Sequence, residues 1–360
     1  MDSLISTYFL LIKPNKVWRQ IIQMVLSRKF VKLHVVLLLF FLICDYVLNS
    51  IFFGNDFILN IILMVNFMQS KTIEKHINTL IEGDCLSIME SIPSHSVDMI
   101  ICDLPYGTTQ NKWDSVIPLN NLWMHYKRII KENGVIALTS QGIFTAKLII
   151  SNEKWFKYKY VWVKSKPTNF LNAKKQPLRK HEDVCIFYNT QPVYNPQKTV
   201  AEPYNKGVRK NQLSGSYGDF KPVEVKSAGE RYPTDVLYFK TSESEGEVFH
   251  PTQKPIELGR FLIRTYTDPG AIIMDNAFGS GSFLVAAVLE ERNFIGIEKN
   301  EDVHLFKKKK INYIDVAHDR IISAYNKVCS SLFAKSTLQK KGLFIEIDQH
   351  LNNKRVKEVL

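Results

Sequence analysis

The chain has 360 residues, and 47 lysines and arginines against 35 aspartates and glutamates give it a formal net charge of +12 at pH 7. This length allows one large domain or two with a substantial core, and the charge predicts an anionic partner, either nucleic acid or a membrane surface. The five cysteines and nine histidines are scattered, without the spacing of a metal site or a disulfide framework. We therefore expect no metal and a reducing compartment.

Residues 1–67 differ in composition from the rest of the chain, because they contain no Ala, no Glu and a single Gly. A marginal membrane span over residues 33–53 includes Asp45, a charge that is costly inside a bilayer. Two interpretations compete: a membrane anchor, or a gene start placed too far upstream, so that A/T-rich noncoding sequence is translated. We favour the second and expect Met68 to be the natural start. A mass measurement on protein from its native host that finds the longer chain would contradict this.

From residue 71 the sequence follows the alternating pattern of an α/β protein. A short strand is predicted over residues 78–84, and Asp84 is placed as the N-cap of the following helix. The other predicted elements are helices over 85–92, 119–131 (ended by Gly134), 256–266 and 283–289, strands over 97–102, 135–138, 158–164, 184–188, 272–274 and 294–297, and a solvated helix face at 307–310.

The strand predicted over residues 97–102 ends in Asp103-Leu104-Pro105-Tyr106. This turn suits chemistry on the exocyclic amine of a nucleobase, a poor nucleophile because its lone pair is delocalised into the ring. The Asp103 carboxylate and the Leu104 carbonyl can accept the two N–H protons of the amine, while Pro105 keeps the turn rigid. Tyr106 is expected to stack on a base taken out of the duplex. Taken alone, the four residues fit an ordinary strand-to-loop turn equally well.

A second motif begins with the strand predicted over residues 272–274, which is followed by Asp275 and a loop of small residues. Gly279 and Gly281 allow a ligand to approach the backbone closely. The N-terminus of the helix predicted over residues 283–289 offers its N–H groups to the same ligand.

The next predicted strand, residues 294–297, ends in Glu298. An acid at this place can bind both hydroxyls of a ribose. Phe278 occupies the position of the first glycine in the dinucleotide fingerprint. The loop therefore fits a nucleoside cofactor without a pyrophosphate, such as S-adenosylmethionine.

Together, Asp103-Leu104-Pro105-Tyr106 and Asn276-Ala-Phe-Gly-Ser-Gly-Ser282 resemble the amino-methyltransferases of DNA, which methylate adenine N6 or cytosine N4. Leu104 stands where that family usually has a proline, and we expect a small effect because the backbone carbonyl remains. A catalytic motif that precedes the cofactor loop is the circularly permuted order of the β class. The resemblance covers roughly residues 78–310.

The resemblance implies S-adenosyl-L-methionine as the cofactor. In the family, an acid at the place of Asp84 reads the adenine amine of the cofactor, and a hexapeptide similar to His250-Pro-Thr-Gln-Lys-Pro255 lines its methionine end. A plain helix start explains Thr252 and Pro255 equally well. The expected cofactor-binding residues are Asp84, Thr252, Lys254, Asp275, Phe278, Gly279, Ser280, Gly281, Ser282 and Glu298.

Residues 165–249 are basic, interrupted by prolines and without regular periodicity. By resemblance, the β class has its target-recognition region here, between the catalytic and cofactor halves. Lysines and arginines neutralise phosphates, whereas a solvated loop is the alternative interpretation. The expected DNA-binding residues are Lys112, Lys174, Lys175, Arg179, Arg209 and Lys210.

The predicted fold is a Rossmann-like α/β domain with a mostly parallel sheet. Its expected parts are an N-terminal extension (1–67), a catalytic half (68–164), the target-recognition insertion (165–249), a cofactor half (250–328) and a tail (329–360). The predicted function is site-specific methylation of double-stranded DNA. Adenine N6 is favoured over cytosine N4, because Asp usually begins the motif of adenine enzymes in this family.

Cytosine C5 methylation is excluded, because that chemistry uses a thiol in a Pro-Cys turn and no cysteine here follows a proline. An RNA or protein methyltransferase, a non-catalytic DNA-binding module and a membrane-associated protein with a degenerate enzyme domain stay open as alternatives. A restriction endonuclease partner and a homodimer are also left open. We expect the protein on DNA in the cytoplasm of a prokaryotic or phage-infected cell, with membrane attachment only if residues 1–67 are expressed.

Overall fold

The computed structural model describes residues 73–108, 114–208, 224–300, 304–306 and 309–335. By its contacts the chain divides between Met68 and Gln69, and all described residues belong to the second part, Gln69–Leu360. The membrane span predicted over residues 33–53 lies outside the described residues, as do Lys112, Arg209 and Lys210. Among the described helices, none is long and apolar enough to cross a membrane.

The described part of the chain contains strands of two to thirteen residues. They are β1 (Thr79–Glu82), β2 (Val97–Cys102), β3 (Ile130–Ser140), β4 (Phe156–Thr168), β5 (Arg179–Phe187), β6 (Thr199–Val200), β7 (Tyr204–Val208), β8 (Glu224–Ser227), β9 (Glu230–Arg231), β10 (Val236–Phe239), β11 (Ile272–Asp275), β12 (Asn293–Glu298), β13 (His304–Phe306) and β14 (Lys309–Ile311).

The described helices are α1 (Cys85–Met89), α2 (Leu119–Ile129), α3 (Ile143–Ser151), α4 (Ile256–Tyr266), α5 (Ser282–Leu289) and α6 (Tyr313–Lys335).

Eight strands form the central sheet, in the order β1-β12-β11-β2-β3-β5-β4-β10. Within this sheet only β5 is antiparallel to its neighbours. The prediction of a mostly parallel α/β sheet is therefore confirmed. The carboxyl ends of the parallel strands meet at one edge, and β5 begins at that same edge.

Helices cover both faces of the sheet, and the side chains of β2 show this directly. Met99 and Ile101 pack into a cluster with residues of α4, α5 and α6, whereas Ile100 and Cys102 pack into a second cluster with residues of α1, α2 and α3. Successive residues of a strand point to opposite faces, so a strand buried on both faces is an uninterrupted apolar run. In β2 this run is interrupted only by Asp98, and the bounds of the strand agree with those predicted from the sequence.

The prediction that Gly134 ends a helix is wrong. Helix α2 ends at Ile129, and Gly134 lies inside β3, which pairs with β2. A Cβ at Gly134 would approach the backbone oxygen of Asp98 to 2.9 Å. This glycine permits close packing of two strands, and strand pairing overrides the local helix-stop signal. Helix α1 is likewise shorter than predicted and ends at Met89.

The lysine run at residues 307–310 is not helical where the structure describes it. Lys309–Ile311 forms β14, which pairs antiparallel with β13. Its partner strand comes from a neighbouring segment, which a run of charges does not reveal. Helix α6 then continues through Cys329, where a tail without features was predicted, to Lys335.

The insertion belongs partly to the central sheet. Strand β10 lies at the edge of the sheet, parallel to β4, and β4 itself extends across the predicted boundary at residue 165 to Thr168. Strand β5 also lies within residues 165–249 and belongs to the central sheet, between β3 and β4. The remaining described strands of the insertion form two small two-stranded sheets, β6 with β9 and β7 with β8. Their residues are mostly exposed.

Candidate active site

A cavity of about 630 Å³ lies at the carboxyl edge of the sheet. Four acids that follow or end four adjacent strands line it: Asp84 after β1, Glu298 of β12, Asp275 of β11 and Asp103 after β2. This volume is typical of a small-molecule site, and the edge is where open α/β sheets bind ligands. The two sequence motifs therefore face the same space.

Both carboxylate oxygens of Asp103 are bound by neighbouring side chains. Oδ1 accepts hydrogen bonds from the Tyr106 hydroxyl, at 2.8 Å, and from the Thr139 hydroxyl. Oδ2 forms an ion pair with Lys254, whose Nζ lies 2.7 Å away. Three of the roughly four acceptor positions of the carboxylate are thus occupied, and a target amine can bind Asp103 at Oδ2, either beside Lys254 or in its place.

Lys254 is buried between two carboxylates. Its Nζ lies 3.2 Å from Oε2 of Glu182, and Oε1 of Glu182 lies 3.1 Å from Nζ of Lys164. Asp103, Lys254, Glu182 and Lys164 thus form a row of alternating charges, which we call the charge row. Burial opposes the charged form of Lys254, but the carboxylates of Asp103 and Glu182 raise its pKa above the ordinary value. Burial similarly opposes ionisation of Glu182, yet the two lysines lower its pKa.

Tyr106 is packed on the protein in a way that the motif alone does not reveal. Its ring stacks on Phe144, with centroids 5.1 Å apart, and Nζ of Lys254 lies 5.5 Å from the ring centre. Burial, followed by the charges of Asp103 and Glu182, raises the pKa of Tyr106 well above its ordinary value. The hydroxyl therefore stays protonated and donates to Asp103.

Leu104 and Pro105 lie at the cavity wall beside Asp103. The Leu104 side chain is buried, and no described residue donates a hydrogen bond to its carbonyl oxygen. The expected carbonyl acceptor is therefore available in the described part of the chain.

The acids on the other side of the cavity are bound mainly by backbone N–H groups. Oε2 of Glu298 accepts from the Gly279 N–H at 2.6 Å, and Oδ1 of Asp275 accepts from the Ala277 N–H at 3.3 Å. Burial raises the pKa of Glu298 and raises that of Asp275 to about 8. The negative charges of Glu298 and Asp103 also raise the pKa of Asp275. These acids favour a ligand that brings positive charge or hydrogen-bond donors.

Asn276 provides a donor in the same wall. Tyr126 donates to its Oδ1, while its buried Nδ2 has no acceptor among the described residues except the weakly accepting Cys85 thiol. A buried amide N–H without a strong acceptor suits a polar ligand. With Glu298, Asp275 and the backbone of Gly279, the residues present fit a cationic nucleoside such as S-adenosyl-L-methionine.

Asp84 and Phe278 also lie in the cavity wall. Asp84 is the N-cap of α1, since its Oδ1 accepts a hydrogen bond from the Ser87 N–H at 3.1 Å. The same residue also lines the cavity. Phe278 is buried and precedes the loop glycines. Thr252 lines the cavity as well, where its hydroxyl lies 3.1 Å from Nδ1 of His250.

Three of the expected cofactor residues have contacts that the sequence did not predict. Gly281 does not line the cavity, because it faces α6, where an added Cβ would lie 2.8 Å from the Ala317 side chain. Ser280 and Ser282 line it, but their hydroxyls also accept hydrogen bonds from Arg320 of α6. The long-range packing of α6 against α5 determines these contacts.

Lys254, which was expected to line the methionine end of the cofactor, makes different contacts. Its ammonium group is bound to Asp103 and Glu182, on the catalytic side of the cavity. The reason is that β5 brings Glu182 beside Asp103, a pairing between residues far apart in the chain.

The expected DNA-binding residues that are described lie in one loop. Lys174 and Lys175 are exposed between β4 and β5, and Arg179 begins β5. Arg179 lines the cavity and donates to Gln141 at 3.2 Å. In the described residues, no group of three His, Cys, Asp or Glu side chains could bind a metal ion.

Sequence reasoning missed Thr139, Lys164 and Glu182. Lys164 had a detectable signal, because Tyr160, Trp162 and Lys164 alternate along β4 and all three are buried. A lysine at an inward position of a strand requires a partner. Nothing in the local sequence identifies Glu182 as that partner.

Comparison with known proteins places these observations in a family context. A family model described as DNA methylase, for N6/N4 methyltransferases, matches residues 97–308. The type II methyltransferase M.HinfI of Haemophilus influenzae is 25% identical over 290 residues, which span 71% of this chain and 71% of that protein. The type II methyltransferase M.BglII of Bacillus subtilis is 25% identical over 281 residues, or 70% of this chain and 71% of the relative.

Solved structures of DNA methyltransferases are also similar to the chain. The M1.HpyAVI–SAM complex has 21% sequence identity and a TM-score of 0.47, and the match covers 68% of this chain and 98% of that one. The PvuII DNA methyltransferase, described as cytosine-N4-specific, has 16% identity and a TM-score of 0.45, over 70% of this chain and 92% of that one.

Proposed function

Because this chain belongs to the N6/N4 DNA methylase family, whose model matches residues 97–308, we propose that it methylates the N6 amine of adenine in double-stranded DNA. S-adenosyl-L-methionine is the cofactor, and when bound it supplies a methyl group on a positively charged sulfur. The observation that carries the proposal is that Asp103 lines the same cavity as Asp275 and Glu298. A shared cavity lets two bound reactants meet at high effective concentration.

The Asp103 turn activates the amine. Asp103 and the Leu104 carbonyl accept its two N–H groups, which returns electron density to nitrogen and favours attack on the methyl carbon. As the N–C bond forms, the methyl–sulfur bond breaks with its electron pair left on sulfur, and the amine must lose one proton. Asp103 is the group in contact with that proton and accepts it.

The charge row allows the amine to enter. Lys254 leaves Oδ2 of Asp103 when the amine arrives and remains bound to Glu182, which already lies 3.2 Å away. Lys164 neutralises the other oxygen of Glu182. Asp103 therefore keeps hydrogen-bond donors on both oxygens, Tyr106 and Thr139 on Oδ1 and either Lys254 or the amine on Oδ2.

The opposite wall binds the cofactor. Glu298, at the end of its strand, accepts hydrogen bonds from the ribose hydroxyls of the cofactor. Asp84 accepts one from the amine of the cofactor's own adenine ring. Asn276 donates through its buried Nδ2. Asp275 contributes negative charge near the cationic part of the ligand.

Adenine is proposed over cytosine because the motif begins with Asp103. The family includes both activities, so the base must be measured. The proposed DNA contact is made by the basic loop between β4 and β5 together with the rest of the insertion, which lies between the two motifs in the chain.

The test is single-molecule sequencing of DNA from cells that express the full chain or its Asp103→Ala variant. We expect N6-methyladenine at one short sequence motif, and none with the variant. N4-methylcytosine at one motif would support DNA amine methylation but contradict the choice of adenine as the target base. Unmodified DNA from cells with folded, cofactor-binding protein would overturn the function and leave RNA or protein as the methyl acceptor.

A further inference from the structure

The loop between β4 and β5 is ordered by its own hydrogen bonds. Asn169 Oδ1 accepts from Nδ2 of Asn172 at 2.7 Å, and the Asn172 carbonyl accepts from the N–H groups of Lys175 and Gln176, at 2.8 and 3.0 Å. A 3-10 turn over Phe170–Asn172 lies at its start. These hydrogen bonds fix the backbone of the turn.

This turn presents two large apolar side chains to solvent. Phe170 is 76% exposed and Leu171 is 85% exposed. Adjacent exposed apolar residues on an ordered loop indicate a contact surface. The chain around them carries the charge of a nucleic-acid contact, because residues 165–181 contain five lysines and arginines and no acid.

The loop also stands beside the cavity. Asn169, directly before Phe170, and Arg179, directly after the loop, both line it. The Nδ2 of Asn169 has no hydrogen-bond partner among the described residues. A base that enters the cavity would therefore leave the duplex next to Phe170 and Leu171.

We propose that Phe170 and Leu171 form an apolar wedge that enters the DNA base stack and fills the space left by the target base. The proposal rests on the proposed function, since it assumes that the target is a base in duplex DNA. Moving a base out of the stack exposes the apolar faces of its neighbours and loses stacking energy. Apolar side chains inserted between bases replace those contacts, and the lysines bind the flanking phosphates.

The experiment compares wild-type protein with the Phe170→Ala/Leu171→Ala double variant. The substrates are two 30-base-pair duplexes with the motif found by sequencing, one fully paired and one with a mismatch opposite the target base. We expect the double variant to lose about 30-fold in methylation rate on the paired duplex. On the mismatched duplex, whose target base is already weakly stacked, it should reach wild-type rates within about threefold.

A matched control is the Met124→Ala/Ile150→Ala variant, which removes two exposed apolar residues that do not line the cavity. It should behave as wild type on both duplexes. A Phe170→Trp/Leu171→Met variant keeps apolar volume and should retain most of the rate on the paired duplex.

Two results would overturn the wedge. One is an unchanged rate of the double variant on the paired duplex. The other is an equal loss on both duplexes, which would indicate a general role in affinity or folding. If wild type methylates neither duplex although it binds S-adenosyl-L-methionine, the proposed function itself fails, and this outcome is distinct from failure of the wedge.

Discussion

The acids at the ends of the neighbouring strands β2 and β11 have opposite electrostatic environments. Asp103 contacts Lys254 at 2.7 Å and, through Glu182, belongs to a row of alternating charges. Asp275 is bound by a backbone N–H, and burial raises its pKa to about 8. Lys254 already neutralises Asp103, whereas burial favours the protonated form of Asp275 until a cation binds beside it.

The difference indicates which kind of ligand each side of the cavity binds. In the proposed reaction a neutral amine enters beside Asp103, and Lys254 neutralises the carboxylate before the base arrives. A cationic ligand can itself provide the charge for Asp275 and Glu298. The charge row and the buried acids thus match the two reactants of a methyl transfer, a neutral base and a cationic cofactor.

The largest effect is expected from Asp103→Ala, which removes the acceptor of the amine proton. Methyl transfer should fall by at least about 1,000-fold, while cofactor affinity stays within a few-fold of wild type. Incorporation of tritiated methyl groups into DNA and calorimetric titration of the cofactor measure the two quantities. Asp319→Ala, at an acid that is 84% exposed on α6, is the matched control. Wild-type turnover by Asp103→Ala would contradict the proposed role of Asp103 as the acceptor of the amine proton.

The charge row is tested by Glu182→Gln, which leaves Lys254 with a single carboxylate partner. Lys254 should then remain on Asp103 and compete with the amine, lowering kcat by about 30-fold, with the KM for the cofactor unchanged. Steady-state kinetics separate the two constants. Glu257→Gln, which breaks an exposed ion pair with Arg260, should leave both constants unchanged. An equal kcat for Glu182→Gln and wild type would show that Lys254 needs no second carboxylate.

The opposite wall is tested by the pH dependence of cofactor binding. Because a cationic ligand prefers ionised Asp275, its affinity should rise by up to about tenfold per pH unit below the pKa of about 8. Titration calorimetry from pH 6 to 8.5 measures this slope. The amino group of the cofactor titrates in the same range, so the comparison is with Asp275→Asn, which should bind more weakly with a flatter slope. Parallel slopes for the wild type and Asp275→Asn would contradict the assignment of this pH dependence to Asp275.

The smallest effect is expected on the thermal stability of the protein without bound cofactor. Since the pKa of Asp275 rises from 3.8 to about 8 on folding, the folded protein binds this proton more tightly, and stability should decrease as the pH rises from about 4 to about 8. Asp275→Asn should therefore raise the melting temperature by about 5 °C at pH 8 and by little at pH 5. Thermal melts of both proteins across this range provide the test, with Asp319→Asn as the control. A destabilised variant at pH 8 would contradict the raised pKa.

Elements that are buried on both faces were the most predictable from sequence. The bounds of β2 and α4 agree with the sequence pattern, because β2 is a six-residue strand that is apolar except for Asp98 and α4 is an eleven-residue helix with an apolar stripe. The predictions for Gly134 and for the lysine run at residues 307–310 were wrong, because the conformation of each depends on pairing with another strand. The insertion was predicted as a target-recognition region with one core strand near residues 184–188; β5 forms there, and β10 also joins the central sheet by pairing with β4.

For the candidate site, the sequence by itself determined the two motifs, their order and the prediction that both face one edge of the sheet. These follow from local patterns and from the rule that parallel strands end at the same edge. Only the tertiary structure decided that Lys254 pairs with Asp103 and that Glu182 completes the charge row. Lys254 lies 151 positions from Asp103, and Glu182 comes from a third strand. Such contacts depend on the packing order of strands, which no local pattern encodes.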